Sequence, residues 1–219
     1  MPEPVPPSLV DRLLRRWSVF RGSTSRDLPT AIGPVHVLSQ AGQGELPPVL
    51  LVHGFGASAL QWAPLARALL PHVRRVTAVD LPGHGFSVRR PDLALDLLRD
   101  GLLVALDQLD DGPAVAVGNS LGGAVVVRYV HARPEQVLGA HLISPGGAPM
   151  TPEELDEVRR LFRIRSHGEA LAFLERLFGH SVGPIRHLLA PGLRRTFGDE
   201  ALQGVLAGLT DADWLTTEE

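Results

Sequence analysis

The sequence predicts an α/β protein, a mostly parallel sheet with helices on both faces, followed by a C-terminal helical cap. Three observations carry that prediction. Short continuous apolar runs alternate with amphipathic segments between residues 34 and 145, Gly-rich turns stand where those runs pass into helices, and beyond Pro145 only helical periodicity remains. The chain divides accordingly into an N-terminal leader and amphipathic helix (1–33), a core (34–145) and a helical cap region (146–219).

Pro2, Pro4, Pro6 and Pro7 mark a frayed leader. Ser8 then caps a predicted helix whose Leu9, Leu13, Leu14, Trp17 and Phe20 recur near helical spacing, with Arg12, Arg15, Arg16 and Arg21 between them. A basic amphipathic stretch over 8–21 suits either a membrane surface or the flank of its own domain, and packing on the domain is the expectation. No run has the length of a membrane span and no signal peptide is visible, so the expected location is cytoplasmic.

The core elements follow in order. Pro34 to Ser39 alternates like a half-buried strand, and Gln40 to Pro48 is a turn. Val49 to Val52, Arg75 to Val79, Pro113 to Val117 and Val137 to Ile143 have the form of central parallel strands. Between them Ala59 to Leu70, Asp92 to Leu109 and Leu121 to Ala132 have helical spacing. Ligands of such a sheet belong at the carboxyl ends of its strands. Past Pro145-Gly146-Gly147, a helix starts at Thr151 with Glu154 three residues on, Ala170 to Phe178 forms another, and shorter helical pieces follow.

Composition narrows the chemistry. All 21 basic residues are Arg and the chain has no Cys, which removes lysine Schiff bases, thiolate nucleophiles, Cys-ligated zinc and disulfides. A net charge of -3 with only the N-terminus basic offers no footprint for nucleic acid. Hydroxyl, carboxylate and imidazole groups remain as reactive side chains.

Two glycine motifs compete for the site. His53-Gly54-Phe55-Gly56-Ala57-Ser58-Ala59 follows a strand and opens a helix, which satisfies the G-x-G-x-x-A form of a dinucleotide fingerprint, with Asp80 where a ribose-binding acid would fall. Against that reading, Asp80 runs into the turn-rich Leu81-Pro82-Gly83-His84-Gly85, and the glycine strand is not the first of its unit. The second motif is Gly118-Asn119-Ser120-Leu121-Gly122-Gly123, on a strand-to-helix junction. A serine there stands exposed above the sheet, its flanking glycines give the backbone room, and the helix N-terminus behind it faces developing negative charge.

Together these three motifs resemble the α/β-hydrolase superfamily, in particular its esterase, lipase and carbon–carbon hydrolase branches. The resemblance covers residues 34–145 through specific motifs, and 146–219 through a looser likeness to a helical cap. It implies Ser120 as nucleophile and the backbone N–H groups of Phe55 and Leu121 as oxyanion hole, with His53, Gly54, Gly118, Asn119 and Gly122 in the supporting loops. The implied substrate is a small acyl or ester compound, and no metal or organic cofactor is implied. Ser120 itself argues against the branches that carry aspartate at that turn.

The family's triad acid and histidine follow its last two core strands, and no matching segment is found. His180 follows a helix rather than a strand; His167 and His187 belong to the cap; His53 and His84 to the core loops; His36, His72, His131 and His141 to surface or packing positions. Asp80 is expected to tie down loop backbone. The missing strands, helices and loops amount to roughly 56 residues. The expectation is therefore a chain that stops before the last two core strands and is weakly active or inactive as it stands, with Val137 to Ile143 left as an apolar edge. A non-catalytic pocket protein and a dinucleotide-binding domain are the alternatives.

Overall fold

The computed structural model describes residues 22–90, 95–180, 183–210 and 213–216. The expected helix over 8–21, and with it any membrane contact, lies outside the described residues. Six strands form one sheet: β1 (Thr24–Leu28), β2 (Val35–Ala41), β3 (Val49–Val52), β4 (Arg75–Val79), β5 (Ala114–Asn119) and β6 (Val137–Ile143). Their order is β1-β2-β4-β3-β5-β6. The strands from β3 to β6 run parallel, while β2 is antiparallel to both β1 and β4.

Side-chain alternation explains how both faces become covered. Leu50 and Val52 of β3 point to one side, with Val35, Val37 and Val79, and pack beneath α2 (Leu95–Leu106) and α3 (Leu121–Ala132). Leu51 and Val49 point to the other, with Leu38, Val76 and Ala78, beneath α1 (Ala63–Leu69). A continuous apolar strand is thus two half-faces, each buried by a different helix. The helix expected from Ala59 begins as a 3₁₀ turn (Ala59–Trp62), and Pro64 stands in the first turn of α1, where its missing N–H costs no bond.

Three elements differ from the sequence expectation. Residues 24–28, placed in the leader, form β1; their alternation is hidden because only Leu28 of the five is buried, as suits an edge strand. β5 runs on through Gly118 and Asn119, so Ser120 is the single residue between strand and helix. The short pieces expected after Phe178 are two helices, α6 (Ile185–Phe197) and α7 (Glu200–Ala207). α6 continues through Pro191, which stands at an exposed position of the helix.

Beyond β6 the chain forms α4 (Pro152–Leu161), α5 (His167–Phe178), α6 and α7 over the strand ends. Thr151 with Glu154, and Ser166 with Glu169, form reciprocal capping boxes at the starts of α4 and α5. This layer has its own core of Ile164, Ala170, Phe173, Ala190, Phe197 and Leu202, with Phe55 of the β3–α1 loop packed into it. Arg89 pairs with Asp199 at 2.8 Å and ties the loop after β4 to the start of α7. Among the described residues no helix is long and apolar enough to cross a membrane.

β6 ends the sheet, with Leu138 59% and Ile143 46% exposed. An exposed apolar edge is a template for pairing with another chain. Leu142→Lys, which places a charge on that edge, should therefore reduce concentration-dependent self-association measured by light scattering, with no loss of helicity by circular dichroism.

Candidate active site

Ser120 has φ 51° and ψ −120°, a positive φ that L-residues rarely adopt. Such a backbone costs about 1–3 kcal/mol and persists only where the surroundings over-determine it. Here they do. The Ser120 N–H donates to the Ile143 carbonyl at 3.0 Å, and its own carbonyl accepts from Gly123 at 2.9 Å and Gly146 at 2.8 Å. The turn is therefore clamped between β6, α3 and the loop after β6. Although Ser120 occupies the N-cap position of α3, its hydroxyl makes no cap hydrogen bond.

Close approach explains the surrounding glycines. A Cβ at Gly122 would collide with the carbonyls of Val52 and His53, and one at Gly118 with the Gly122 carbonyl. One at Gly54 would stand 2.9 Å from Asn119 Oδ1 and 3.1 Å from Ser120 Cβ. Gly54 and Gly122 thus let the β3–α1 loop lie directly against the β5–α3 turn. Asn119 stitches the junction: its Nδ2 donates to the Ile143 carbonyl at 3.1 Å and its Oδ1 accepts from Gln61 at 3.2 Å. Among the described residues, the N–H groups of Phe55 and Leu121 have no protein acceptor; that of Leu121 is one of the free donors at the start of a helix.

His53 is fully buried and both its ring nitrogens are engaged. Leu81 N–H donates to Nε2 at 3.0 Å, so Nδ1 carries the proton and donates to the Gly54 carbonyl at 2.7 Å. Burial lowers its pKa against the opposing effects of Asp80 and the Gly54 carbonyl. His84 is also buried; its Nδ1 donates to the Pro82 carbonyl at 3.0 Å, and burial, with repulsion between the two rings if His53 too were protonated, lowers its pKa to about 3.

Asp80 is 1% exposed and accepts from four directions: His36 Nδ1 at 2.8 Å, Ala59 N–H at 2.6 Å and Phe86 N–H at 3.0 Å on its side chain, and Ser87 Oγ at 2.5 Å on its carbonyl. Burial alone would raise its pKa, but the His36 hydrogen bond, the neighbouring histidine charges and the Ala59 N–H outweigh it and hold the carboxyl below its usual value. A carboxylate this deeply buried is out of reach of a ribose, which removes the main support of the dinucleotide reading. His36, expected at a surface or packing position, is instead a buried link from Asp80 to Ser25 Oγ at 2.8 Å. An alternating strand alone does not reveal such a link, because the carboxylate that employs His36 is 44 residues away.

A cavity of about 250 Å³ opens at Ser120 between the strand ends and the helical layer. Leu121, Ala124, Val158, Phe162, Val205 and Leu206 supply its apolar wall. Buried Arg128 braces another wall, donating to the carbonyls of Asp213 at 2.6 Å and Trp214 at 3.2 Å. Asp213 caps its own turn, its carboxylate accepting from the N–H and hydroxyl of Thr210. The sequence does not single out Arg128, because the contact that employs it spans some 85 residues.

No histidine lines this cavity among the described residues. His180, His72, His131 and His141 are exposed, and His167 and His187 face each other across α5 and α6 with Nε2 and Nδ1 3.0 Å apart. The structure thus brings Ser120 together with the β3–α1 loop and an apolar cavity; among the described residues no histidine lines it, and its one acidic lining residue, Asp213, is engaged by Thr210.

Two outcomes follow from this geometry. Gly122→Ala should destabilise the fold by at least about 2 kcal/mol in urea unfolding, because the clash is with backbone that cannot rotate away. His53 and His84 have folded pKa values below the unfolded value of about 6.5, so the unfolded state binds the extra protons and stability falls as pH drops below that value. Unfolding free energy should fall by roughly 1 kcal/mol per pH unit from His84 alone between about pH 6 and pH 4, and a flat profile would contradict the burial of two neutral imidazoles.

Comparison with known proteins places this site in context. Residues 47–195 match the family model described as alpha/beta hydrolase fold. The chain is 42% identical over 103 residues to the dihydrolipoyllysine-residue acetyltransferase component of the acetoin cleaving system of Pseudomonas putida, covering 46% of this chain and 27% of that protein. It is 39% identical over 100 residues to Lipase LipV of Mycobacterium tuberculosis, covering 46% and 38% respectively. The chain thus spans well under half the length of both relatives. Among solved structures, the 2-hydroxy-6-oxo-6-phenylhexa-2,4-dienoate hydrolase of Rhodococcus sp. strain RHA1 superposes with a TM-score of 0.72 at 20% identity, over 89% of this chain and 75% of that one. The match to the family model takes in more than half of the chain, and the chain belongs to the alpha/beta hydrolase fold family.

Proposed function

We propose that this hydrolase acts by acyl transfer from a carboxylic ester to water, with Ser120 as nucleophile. The observation that carries the reading is the strained backbone of Ser120, which leaves its hydroxyl uncapped at the mouth of an apolar cavity of about 250 Å³. In the proposed reaction Ser120 Oγ attacks the ester carbonyl, its proton passes to a base and on to the departing alcohol, and water cleaves the acyl-enzyme. The oxyanion forms between the N–H groups of Phe55 and Leu121, which have no other acceptor among the described residues. Buried His53 contributes as a positioning residue, since it binds Gly54 on one side and Leu81 on the other. Aliphatic walls favour an apolar acyl group over a charged one.

A hydroxyl without a base is a poor nucleophile. The proposal therefore assigns base and acid to chain outside these 219 residues, a reading supported by the greater length of the relatives. The lack of a histidine around the cavity supports a second reading, a pocket protein that binds acyl compounds without cleaving them.

Fluorophosphonate labelling tests both. The 219-residue chain should label at Ser120 only at trace rate, while a chain extended along its natural coding sequence should label about 10⁴-fold faster and hydrolyse a p-nitrophenyl ester. Ser120→Ala should abolish both signals. An extended chain that binds the ester but neither labels nor turns over would establish the binding-protein reading instead.

A further inference from the structure

α5 and α6 bury one face each and leave an apolar surface on the outside. Ala170, Phe173 and Leu174 of α5, with Ala190 and Phe197 of α6, are buried. On α6, Ile185, Leu188 and Leu189 recur at i, i+3 and i+4 around the side turned away from Ala190 and Phe197. All three are exposed, Leu188 by 78%. Leu177 and Phe178, at the end of α5, are exposed as well, Leu177 by 64%. Glu175 pairs with Arg186, which brings the end of α5 against the start of α6 and gathers these apolar side chains at one end of the helix pair. Single exposed leucines are ordinary on a protein surface, whereas a group of five marks a contact surface.

Charge narrows the class of partner. Residues 163–195 carry six arginines against Glu169 and Glu175, a net charge of +4 in a chain whose net charge is -3. Arg195, seven residues beyond Leu188, continues the outer face of α6, and Arg176 precedes Leu177; both are exposed. A second copy of the chain on this face would set the same positive charge against itself, so the partner is anionic. An outward apolar face fringed by arginine supplies both forces that hold a helix at an anionic bilayer, apolar burial beneath the headgroups and attraction to lipid charge. The planar guanidinium also matches phosphate geometry. We propose that the outer face of α5 and α6 docks on an anionic lipid bilayer, with Leu188 and its apolar neighbours entering the boundary between headgroups and acyl chains and Arg176 and Arg195 meeting lipid phosphates.

This surface is separate from the cavity at Ser120, which none of its residues lines. The two are joined through packing, since Phe173 and Phe197 on the inner faces of α5 and α6 belong to the core that receives Phe55. The proposal concerns where the protein sits and stands independently of the chemistry assigned to Ser120. It is also distinct from the basic stretch over 8–21, and its test separates the two.

Flotation of the full chain with lipid vesicles on a density gradient tests it, because aggregated protein does not float. The chain should rise with vesicles of equimolar phosphatidylglycerol and phosphatidylcholine, and bind about tenfold more weakly to phosphatidylcholine alone. Leu188→Glu should lower binding to the anionic vesicles about tenfold. Arg176→Gln combined with Arg195→Gln should lower it too and flatten its dependence on sodium chloride. Circular dichroism checks that each variant keeps its helicity, and Ile185→Gln repeats the test on the same face should Leu188→Glu fold poorly. Leu13→Glu in the 8–21 stretch and Leu142→Lys on the β6 edge should leave flotation in place. Absence of flotation, equal binding to both vesicles, flotation that folded Leu188→Glu retains, or self-association through this face in place of flotation would overturn the proposal.

Discussion

Asp80 is the buried charge around which the loops at the strand ends are arranged. It closes β4, and from that position it receives His36 from β2, the Ala59 N–H at the start of the first helical turn and the Phe86 N–H of the following loop. A buried carboxylate without partners would take a proton instead of staying ionised. With these donors it remains charged, and each donor fixes a different segment. The 3₁₀ turn at Ala59 is anchored, the 81–87 loop is curled back over the strand, and His53 is left neutral between Leu81 and Gly54. The loop that carries Phe55 is thus held from two sides, by Asp80 at the Ala59 N–H and by His53 between Leu81 and Gly54.

Steric exclusion acts on the other side of the site. Ser120 holds an unfavourable backbone because the Ile143 carbonyl, α3 and the Gly146 N–H leave it no alternative. The β3–α1 loop can approach that turn only because Gly54 and Gly122 present no side chain. Rigid packing on both sides suits a site that must hold groups in place before any substrate arrives. The helical layer adds a third constraint, since Phe55 packs edge-on to Phe162 at a centroid distance of 5.2 Å and reaches Phe197 at 6.1 Å. Movement of that layer would be felt at the loop that presents the Phe55 amide.

Much of the architecture is legible in the residues because its signals are local. β4, α3 and β6 have the bounds that periodicity predicts, since Arg75–Val79, Leu121–Ala132 and Val137–Ile143 are framed by turn residues. The capping box at Thr151 is readable for the same reason, its two members being three residues apart. β1 is not legible, because an edge strand with one buried residue has little pattern to show. The roles of His36, Arg89 and Arg128 are equally hidden, each depending on a partner far along the chain: Asp80, Asp199 and the carbonyls of Asp213 and Trp214.

By itself, then, the sequence determined the fold class, the motif order, the placement of Ser120 on a strand-to-helix turn, and the lack of thiol and amine chemistry. Each of these follows from residue type and short-range spacing. Tertiary structure decided which side chains are spent on holding the molecule together and which are left unsatisfied. His53 and Asp80 are consumed by partners in the surrounding loops and strands, the Ser120 hydroxyl is not used as a cap, and His84 Nε2 and Arg89 Nε have no partner among the described residues. Hydrogen-bond satisfaction is a property of neighbours in space, and no spacing along a chain encodes it directly.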